Sequence, residues 1–324
     1  MIILLKHKVR EADQRQLLHY IESQGEIIHK EEKLLVLRED IPEPDILYRY
    51  KAVAKVITRQ SSCTLVCAGN SKPEIVIRGN TIGHGDLTII AGPCTIDDTG
   101  RLRETAHALS EEGIKFMRGG VQKLRTSPYS YSGAGLKALE TFASIAKELE
   151  LITVSEVISP EWIVPMTEHI DILQVGTRNM YNYPLLKALG KAGRPVILKR
   201  AVSATYKEWL LAAEHLAVAG NREIILCERG IRTFETSLRN TPDIAAIPVM
   251  KERSCLPIIF DPSHATGDRR FVLPLSYAAV AAGVDGLLLE VEINPQSAPV
   301  DGGQTINIEE LRRIMRKLPS LIVQ

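Results

Sequence analysis

The sequence predicts an α/β protein in which a (β/α)8 barrel follows a small α+β domain. From about residue 86 onwards, short apolar runs alternate with longer amphipathic segments. Near-continuous apolar strands that alternate with helices are typical of a parallel sheet buried on both faces. Eight such units fill roughly 240 residues, which is the usual size of a closed TIM barrel. A doubly wound open sheet is the alternative, but the Gly-rich first turn that often marks it is not evident.

The barrel assignment rests on strand and helix segments identified from their hydrophobic period. The predicted strands span residues 87–91, 114–117, 151–155, 172–175, 195–198, 223–226, 257–260 and 286–289. The predicted helices span residues 101–112, 134–150, 160–168, 182–192, 205–219, 237–250, 270–282 and 307–317. A hairpin of residues 74–78 and 85–87 is predicted to lead into the barrel.

The first part of the chain shows a different order of elements. Strands are predicted at residues 2–6, 26–29, 33–38 and 51–58, with a helix at 11–23 and at most a short helix after Ile41. This β-α-β-β-(α)-β order indicates a small split βαβ sandwich. Residues 61–73 are rich in Gly, Asn, Ser and Pro, so we place the domain boundary near residue 68. The predicted domains are therefore residues 1–68 and 69–324.

Composition limits the class of protein. Apolar residues make up 45% and charged residues 24% of the 324 residues, and the formal net charge is +1. No overall field attracts nucleic acid or a membrane surface, and we expect neither as a partner. The five cysteines are odd in number and scattered, which is typical of a reducing compartment. The apolar run at the N-terminus is too short for a signal peptide, so we predict a cytoplasmic protein.

Polar or charged residues follow every predicted barrel strand. Because active sites of this fold collect at the carboxyl ends of the strands, we expect these residues to meet at one mouth. The cations among them are Arg118, Lys123, Arg125, Arg178, Lys199, Arg229 and Arg232. Arginine binds phosphate and carboxylate groups bidentately, so the set predicts two phosphorylated substrates, or one that carries both groups. A surface ion pair would explain any one of these residues alone.

A second set of residues near the predicted strand ends combines a thiol, an imidazole and two carboxylates: Cys94, His264, Glu290 and Asp301. Such donors suit a divalent transition metal, and several first-row ions would fit them. Each residue alone has a structural alternative, such as an inert buried thiol, a core histidine or a turn residue. No P-loop, dinucleotide fingerprint or Gly-x-Ser-x-Gly motif is present, so we expect no organic cofactor. These residues predict metal-assisted carbonyl chemistry of the aldolase or lyase type on phosphorylated small molecules.

Seven short motifs lie at or close to the predicted strand ends. They are Ala91-Gly-Pro-Cys94, Arg118-Gly-Gly, Lys123-x-Arg125-Thr-Ser-Pro-Tyr-Ser, Gly176-x-Arg178-Asn, Leu198-Lys-Arg, Cys227-Glu-Arg-Gly-Ile-Arg-Thr-Phe-Glu and Asp261-Pro-Ser-His264. Together they resemble the 3-deoxy-D-arabino-heptulosonate 7-phosphate (DAHP) synthase family, in its microbial branch with a short ferredoxin-like N-terminal domain. The string that begins at Cys227 is the most discriminating motif. The specific likeness starts near residue 75, whereas the first 68 residues match only in the order of their elements.

The resemblance implies a condensation of phosphoenolpyruvate (PEP) with erythrose 4-phosphate, the first step of the shikimate pathway to aromatic amino acids. It implies one divalent metal ion, with manganese, iron, cobalt and zinc as candidates, bound by Cys94, His264, Glu290 and Asp301. The implied PEP-binding residues are Arg118, Lys123, Arg178, Lys199 and Arg229. Glu156 would help to position water, Arg125 and Thr126 would bind the aldose phosphate, and Lys199 would donate a proton.

The resemblance further implies a homotetramer in which the N-terminal domain binds Tyr or Phe as an inhibitor; a plain oligomerisation domain is the alternative. This chain departs from the family pattern at Leu124, where proline is usual, at Thr177 and in the loop after His264. These differences bear on the aldose pocket. One competing hypothesis is condensation of PEP with arabinose 5-phosphate to an octulosonate 8-phosphate. Another is a non-catalytic barrel that binds phosphorylated ligands.

Overall fold

The computed structural model describes residues 1–41, 43–58, 63, 65–67, 72–83, 85, 87–125, 127, 129–298 and 300–318. The chain forms two compact units, Met1–Thr64 and Leu65–Gln324. The boundary that we placed near residue 68 lies outside the described residues and stays a prediction.

The N-terminal unit is a four-stranded antiparallel sheet with one α-helix in its described residues. Its elements are β1 (Ile2–Leu5), α1 (Glu11–Gln24), β2 (Ile27–Glu31), β3 (Leu34–Leu37) and β4 (Val53–Ile57). The sheet order is β2-β3-β1-β4. A 3-10 helix at Pro44–Arg49 takes the place of a second α-helix. This arrangement confirms the predicted ferredoxin-like fold.

The core of this unit follows from two hydrophobic periods. Leu17 and Ile21 lie one turn apart on α1, and both are fully buried. Alternate residues of β1 and β3 are buried with them: Ile3, Leu5, Leu35 and Leu37. Because side chains alternate between the two faces of a strand, one face of the sheet packs on the helix.

The second unit begins with a short hairpin, β5 (Ile75–Ile77) and β6 (Asn80–Ile82). Our prediction of the second hairpin strand at residues 85–87 is wrong. The turn contains only Arg78 and Gly79, whose φ angles are +47° and +77°. Two positive φ angles in succession are typical of a type I′ turn, which reverses the chain within two residues.

Eight parallel strands close into a barrel and confirm the predicted fold. They are β7 (Thr88–Gly92), β8 (Phe116–Arg118), β9 (Ile152–Glu156), β10 (Ile172–Val175), β11 (Val196–Lys199), β12 (Ile224–Glu228), β13 (Ile258–Phe260) and β14 (Gly286–Glu290). Each strand pairs with the next one along the chain, and β14 pairs with β7 to complete the circle. All eight predicted strands therefore exist, with boundaries that differ by at most two residues.

Helices follow or flank the barrel strands. They are α2 (Thr99–Glu111), α3 (Leu136–Glu148), α4 (Ile163–His169), α5 (Tyr183–Leu189), α6 (Tyr206–Val218), α7 (Ala246–Arg253), α8 (Pro262–Thr266), α9 (Val272–Ala281) and α10 (Ile308–Lys317). Within the described part of the chain, none of the helices has both the length and the apolar character needed to cross a bilayer.

One predicted helix is wrong in its first half. Residues 237–245 do not belong to the predicted helix 237–250, because α7 begins only at Ala246. The backbone N–H groups of Arg239 and Asn240 donate instead to the carbonyls of Thr266 and Ala265, at 2.9 and 3.0 Å. Thr241 pairs with Ile231 in an isolated bridge. These long-range bonds use the groups that a helix would have needed.

Candidate metal centre and anion-binding mouth

Four potential metal-binding side chains come together at the carboxyl ends of the barrel strands. Cys94, His264, Glu290 and Asp301 each offer one ligand atom, and these atoms all lie within 4.8 Å of one another. Glu290 is the last residue of β14, His264 lies on the short helix α8, and Cys94 follows β7 by two residues. The structure therefore brings together the set that we selected from the sequence.

Neighbouring groups fix the orientation of these side chains. Asp261 accepts from the backbone N–H of His264 at 2.9 Å and lies 2.8 Å from its Nδ1. This contact makes Nδ1 a donor and leaves Nε2, 3.2 Å from Glu290 Oε1, as the ring atom that faces the cluster. The Cys94 thiol lies 3.2 Å from Asp301 Oδ2. Lys123 Nζ lies 2.6 Å from the same oxygen and also contacts Cys94 Sγ.

Burial shapes the protonation of the cluster. It lowers the pKa of His264 to about 4, so the ring is neutral near pH 7, as metal binding requires. It raises the pKa of Cys94 well above the ordinary thiol value. Burial also opposes ionisation of Glu290 and Asp301. Attraction to positive charge outweighs it, from the protonated form of His264 and from Arg118 for Glu290 and from Lys123 for Asp301, and both pKa values lie below their ordinary range.

This donor set fits a divalent transition metal. A thiol, a neutral imidazole nitrogen and two carboxylates are borderline-soft to hard ligands of the kind such ions accept. Glu290 Oε1 is buried without a hydrogen-bond partner among the described residues, although Arg118 Nη1 and His264 Nε2 lie near it. A buried carboxylate oxygen in this condition gains a partner when it binds a metal.

Three predicted cations surround the cluster as members of buried ion pairs. Arg118 Nη1 lies 3.3 Å from Glu290 Oε1, and Lys123 pairs with Asp301. Lys199, the last residue of β11, lies 2.5 Å from Asp261 Oδ2 and is 4% exposed. The cationic set and the metal-binding set therefore occupy one mouth.

Arg229 differs from these three cations. It follows β12, is 6% exposed, and makes no ion pair with a carboxylate in the part of the chain that the structure describes. Its Nε is buried without a hydrogen-bond partner there. Burial lowers the pKa of its guanidinium. A buried, unpaired guanidinium is costly for a folded protein, and an anionic ligand would supply its missing partner.

The other predicted site residues lie further out, at the loops around the mouth. Arg178 is exposed and donates from Nη1 to the carbonyl of Leu124 at 3.2 Å. Arg125 is half-buried, and Arg232 is exposed. Glu156 ends β9 and packs so closely on Gly176 that a side chain there would collide with its carboxylate. Thr126 lies outside the described residues.

A glycine makes the close approach of two mouth loops sterically possible. A Cβ atom on Gly120 would lie 2.5 Å from the carbonyl oxygen of Cys94, which real Cβ atoms essentially never do. The Gly120 carbonyl accepts from the N–H of Ile96 at 2.8 Å, so the loops after β7 and β8 are bonded together. The Gly-Gly pair after Arg118 therefore serves to position Cys94 beside the second loop.

The structure also places residues in the site that the sequence analysis did not assign to it. They are Asp261, Arg239 and Gln304. Asp261 and Gln304 each lie three residues from a predicted metal ligand, so local spacing was an available signal for both. Arg239 lies in the segment wrongly predicted as helical, and no local pattern marks it.

Comparison with known proteins agrees with this geometry. The model of the DAHP synthetase I family matches residues 60–323. A phospho-2-dehydro-3-deoxyheptonate aldolase of Thermotoga maritima is 46% identical over 240 residues, which is 74% of this chain and 71% of that protein. A 2-dehydro-3-deoxyphosphooctonate aldolase of Desulfotalea psychrophila is 32% identical over 256 residues, which is 73% of this chain and 90% of that protein.

Two solved structures from Thermotoga maritima share the fold. The crystal structure of its phospho-2-dehydro-3-deoxyheptonate aldolase (DAHP synthase) matches with a TM-score of 0.80 and 38% identity, covering 99% of this chain and 96% of that one. A truncated form of its 3-deoxy-D-arabino-heptulosonate 7-phosphate synthase gives a TM-score of 0.75 and 41% identity, covering 81% and 97%. The chain therefore belongs to the DAHP synthetase I family and is an enzyme of the DAHP synthase type.

Proposed function

We propose that the chain catalyses a metal-dependent condensation of PEP with erythrose 4-phosphate, giving DAHP and phosphate. One observation supports this most strongly. Four side chains suited to a divalent metal and four buried or nearly buried cations share one barrel mouth. A substrate that carries both a phosphate and a carboxylate would match the cations, and a carbonyl group on a second substrate would match the metal.

The cations at the mouth would bind PEP. Arg229 has no carboxylate partner within the described residues, so its forked donors are available to the phosphate or carboxylate of PEP. Lys123, Lys199 and Arg118 add positive charge at the same mouth, and Arg178 extends the set toward the solvent. Because most of these groups are buried, their attraction for a dianion is screened less than at the surface.

The metal would be held by Cys94 Sγ, His264 Nε2 and one oxygen each of Glu290 and Asp301. When bound, it would act as a Lewis acid that polarises the aldehyde of the second substrate. In the reaction, carbon 3 of PEP forms a bond to the aldehyde carbon, water adds at carbon 2, and phosphate leaves by cleavage of its C–O bond. Glu156, at the end of β9, would help to position that water.

Lys199 would supply the proton for the new alkoxide. Its ammonium group lies 2.5 Å from Asp261, which also orients His264, so proton donor and metal ligand are held by one carboxylate. General acids of this kind typically contribute about 10²–10⁴-fold to the rate. Arg125 and Thr126 would bind the phosphate of the aldose.

The competing activity is condensation of PEP with arabinose 5-phosphate. The likeness to a 2-dehydro-3-deoxyphosphooctonate aldolase keeps it open, because 90% of that protein is covered. The Lys123-Leu-Arg125-Thr-Ser string favours erythrose 4-phosphate, since the resemblance leads us to expect an Asn before the Arg in the octulosonate enzymes.

A paired assay separates the two activities and tests the metal requirement. The purified full-length chain is given PEP with either aldose, before and after removal of metal by a chelator. We expect phosphate release and a C7 product only with erythrose 4-phosphate, loss of both with chelator, and recovery on addition of Mn²⁺. Equal turnover of the five-carbon aldose, or full turnover of metal-stripped protein, would contradict the proposal.

We also propose that the N-terminal domain mediates inhibition by Tyr or Phe and that the chain forms a homotetramer. Support comes from the ferredoxin-like topology of this unit together with the family resemblance. Titration of the assay with Phe, Tyr and Trp should lower the rate for one of the first two. A flat response to all three would leave an oligomerisation domain as the better interpretation, and light scattering would measure the oligomeric state.

A further inference from the structure

Two side chains connect the carboxylates of the candidate metal site to each other. Gln304 Nε2 donates to Glu290 Oε2 at 2.5 Å, and Gln304 Oε1 accepts from Arg239 Nη1 at 2.9 Å. The same Arg239 nitrogen lies 3.3 Å from Asp301 Oδ1. Glu290 and Asp301 are thus joined through a chain of polar contacts that runs behind the cluster.

The bridge contacts only one oxygen of each carboxylate. Gln304 contacts Glu290 Oε2, while Glu290 Oε1 faces His264 Nε2 and Arg118. Arg239 contacts Asp301 Oδ1, while Asp301 Oδ2 faces Cys94 and Lys123. In both residues, the carboxylate oxygen that the bridge does not contact is the one that points to the other metal-binding side chains. A bridge of this form sets the rotation of each carboxylate about its last bond.

Glutamine is the side chain that this position requires. It must donate to a carboxylate with one end and accept from a guanidinium with the other, so only one orientation of the amide satisfies both neighbours. Gln304 is 2% exposed, and Glu290, which it contacts, is fully buried. A glutamate in its place would set two carboxylates against each other without water between them.

Both residues of the bridge are held by their own backbones. The N–H of Gln304 donates to the carbonyl of Asp301 at 3.0 Å, which closes the turn around that ligand. Arg239 lies in the segment that bonds to Thr266 and Ala265 instead of forming a helix. Gly267 permits this approach, because a Cβ there would lie 2.7 Å from Arg239 Cβ. Arg239 is therefore anchored by backbone bonds outside the ligand set, whereas Gln304 is anchored to the backbone of the ligand Asp301.

We propose that Arg239 and Gln304 are positioning residues that orient the Glu290 and Asp301 carboxylates for metal binding. The proposal rests on the metal site of the proposed function and adds two residues that do not themselves bind the metal. Partners of this kind typically change metal affinity or activity by about 10–100-fold when they are removed. Because the two side chains act as one connected unit, removal of both should cost little more than removal of either one.

The test measures binding of Mn²⁺ alone to metal-stripped full-length protein, by competition with a chromophoric chelator. The variants are Gln304→Met, Arg239→Met and the double variant, since methionine keeps the length of the side chain without its hydrogen bonds. Arg270→Met is the control, because Arg270 is an exposed arginine whose ion pair among the described residues is with Asp268, and it contacts none of the four metal-binding side chains there. Thermal melting of each metal-free variant reports whether the fold is kept.

We expect the Kd for Mn²⁺ to rise by about 10–100-fold in each single variant and by a similar factor in the double variant. The Arg270→Met protein should keep the wild-type Kd. Excess Mn²⁺ should recover most of the turnover lost by Gln304→Met, which a general folding defect would not allow. Folded variants that bind Mn²⁺ with the wild-type Kd would overturn the bridge alone. Wild-type protein that binds no divalent metal would instead overturn the metal site of the proposed function.

Discussion

The two ends of the barrel differ in the kind of side chain that they bury. At the amino ends of the strands, the hairpin β5–β6 inserts Ile75, Ile77 and Ile82 into a core that continues with apolar side chains of the barrel interior. At the carboxyl ends, Arg118, Lys199 and Glu290 are buried to a similar degree but are charged. We call the amino end with its hairpin the floor and the carboxyl end the mouth. The floor buries apolar surface and stabilises the fold, whereas the mouth contains desolvated charges that cost stability.

Polar contacts at the floor serve to hold the hairpin. Arg78 donates to the carbonyl of Leu151 at 3.2 Å and pairs with Asp171 at 2.9 Å, and these two residues immediately precede β9 and β10. At the mouth, by contrast, Glu290 Oε1, Arg118 Nη1 and Arg229 Nε are buried without hydrogen-bond partners among the described residues. Unsatisfied polar atoms concentrated at one end of a barrel mark that end as the binding site.

The largest expected effect is at the mouth. Cys94→Ala removes a metal donor, so turnover of PEP and erythrose 4-phosphate should fall by more than about 100-fold, beyond the usual cost of losing an outer-shell partner. The melting temperature should change little, because the two polar partners of the lost thiol, Asp301 and Lys123, still pair with each other. Cys255→Ala is the matched control, since that cysteine is also buried but lies before β13 and outside the mouth. Near-normal turnover of Cys94→Ala in steady-state kinetics would show that the reaction does not need a metal bound by Cys94.

The second prediction concerns the floor. Ile82→Ala should lower the free energy of unfolding by about 2–5 kcal/mol, because Ile82 is fully buried and the change leaves a cavity beneath the barrel. The turnover number at a temperature well below the transition should stay close to wild type. Denaturant unfolding gives the first quantity and the assay gives the second. A stable but inactive Ile82→Ala protein would show that floor and mouth are coupled more tightly than we infer.

The third prediction separates charge for binding from charge for stability. Arg229→Gln should raise the KM for PEP by about 10-fold or more, because hydrogen bonds to charged groups contribute roughly 1.5–3 kcal/mol each. The melting temperature should be unchanged or higher, since no carboxylate among the described residues loses its partner and a costly desolvated charge disappears. Initial rates across a range of PEP concentrations, with a melting curve, provide both values. A marked loss of stability would mean that Arg229 has a structural role instead.

The smallest expected effect is for a residue near the mouth that has no chemical role. Thr205 caps α6, where its side chain and Glu208 form a capping box. Thr205→Ala should cost about 1 kcal/mol of stability and leave kcat and both KM values unchanged. Urea unfolding and the standard assay test this. A change in KM would show that a residue without a chemical role can affect substrate binding merely because it lies near the strand ends. The distinction between a floor for stability and a mouth for binding would then be weaker.

The barrel was predictable because its signal is local and repeated. Eight apolar runs with helices between them define the strands, and each run matches an observed strand within one or two residues. One error arises where long-range pairing prevails over local pattern, and the other concerns the length of a local turn. The predicted helix included residues 237–245, yet the backbone of this segment bonds to residues 265–266 and to Ile231. The hairpin turn at Arg78 and Gly79 is shorter than the loop that we expected.

The same distinction applies to the site. Cys94, His264, Glu290 and Asp301 were predictable because strand ends of a barrel meet, so residues far apart in sequence were expected at one place. The contacts that orient them were not predictable in this way. Arg239 reaches Asp301 across 62 residues from a loop without a periodic pattern. Arg229 was selected as one cation among seven, and only its burial without an ion-pair partner among the described residues distinguishes it.

The central claim is that a divalent metal at the mouth is bound by the Cys94 sulfur together with three other side chains. The most direct measurement is the absorption spectrum of metal-stripped protein titrated with Co²⁺. A bound thiolate gives an intense sulfur-to-cobalt charge-transfer band. We predict that this band grows to saturation at one Co²⁺ per chain in the wild type and is absent in Cys94→Ala. Binding of Co²⁺ without the band, or a band that persists in Cys94→Ala, would contradict the claim.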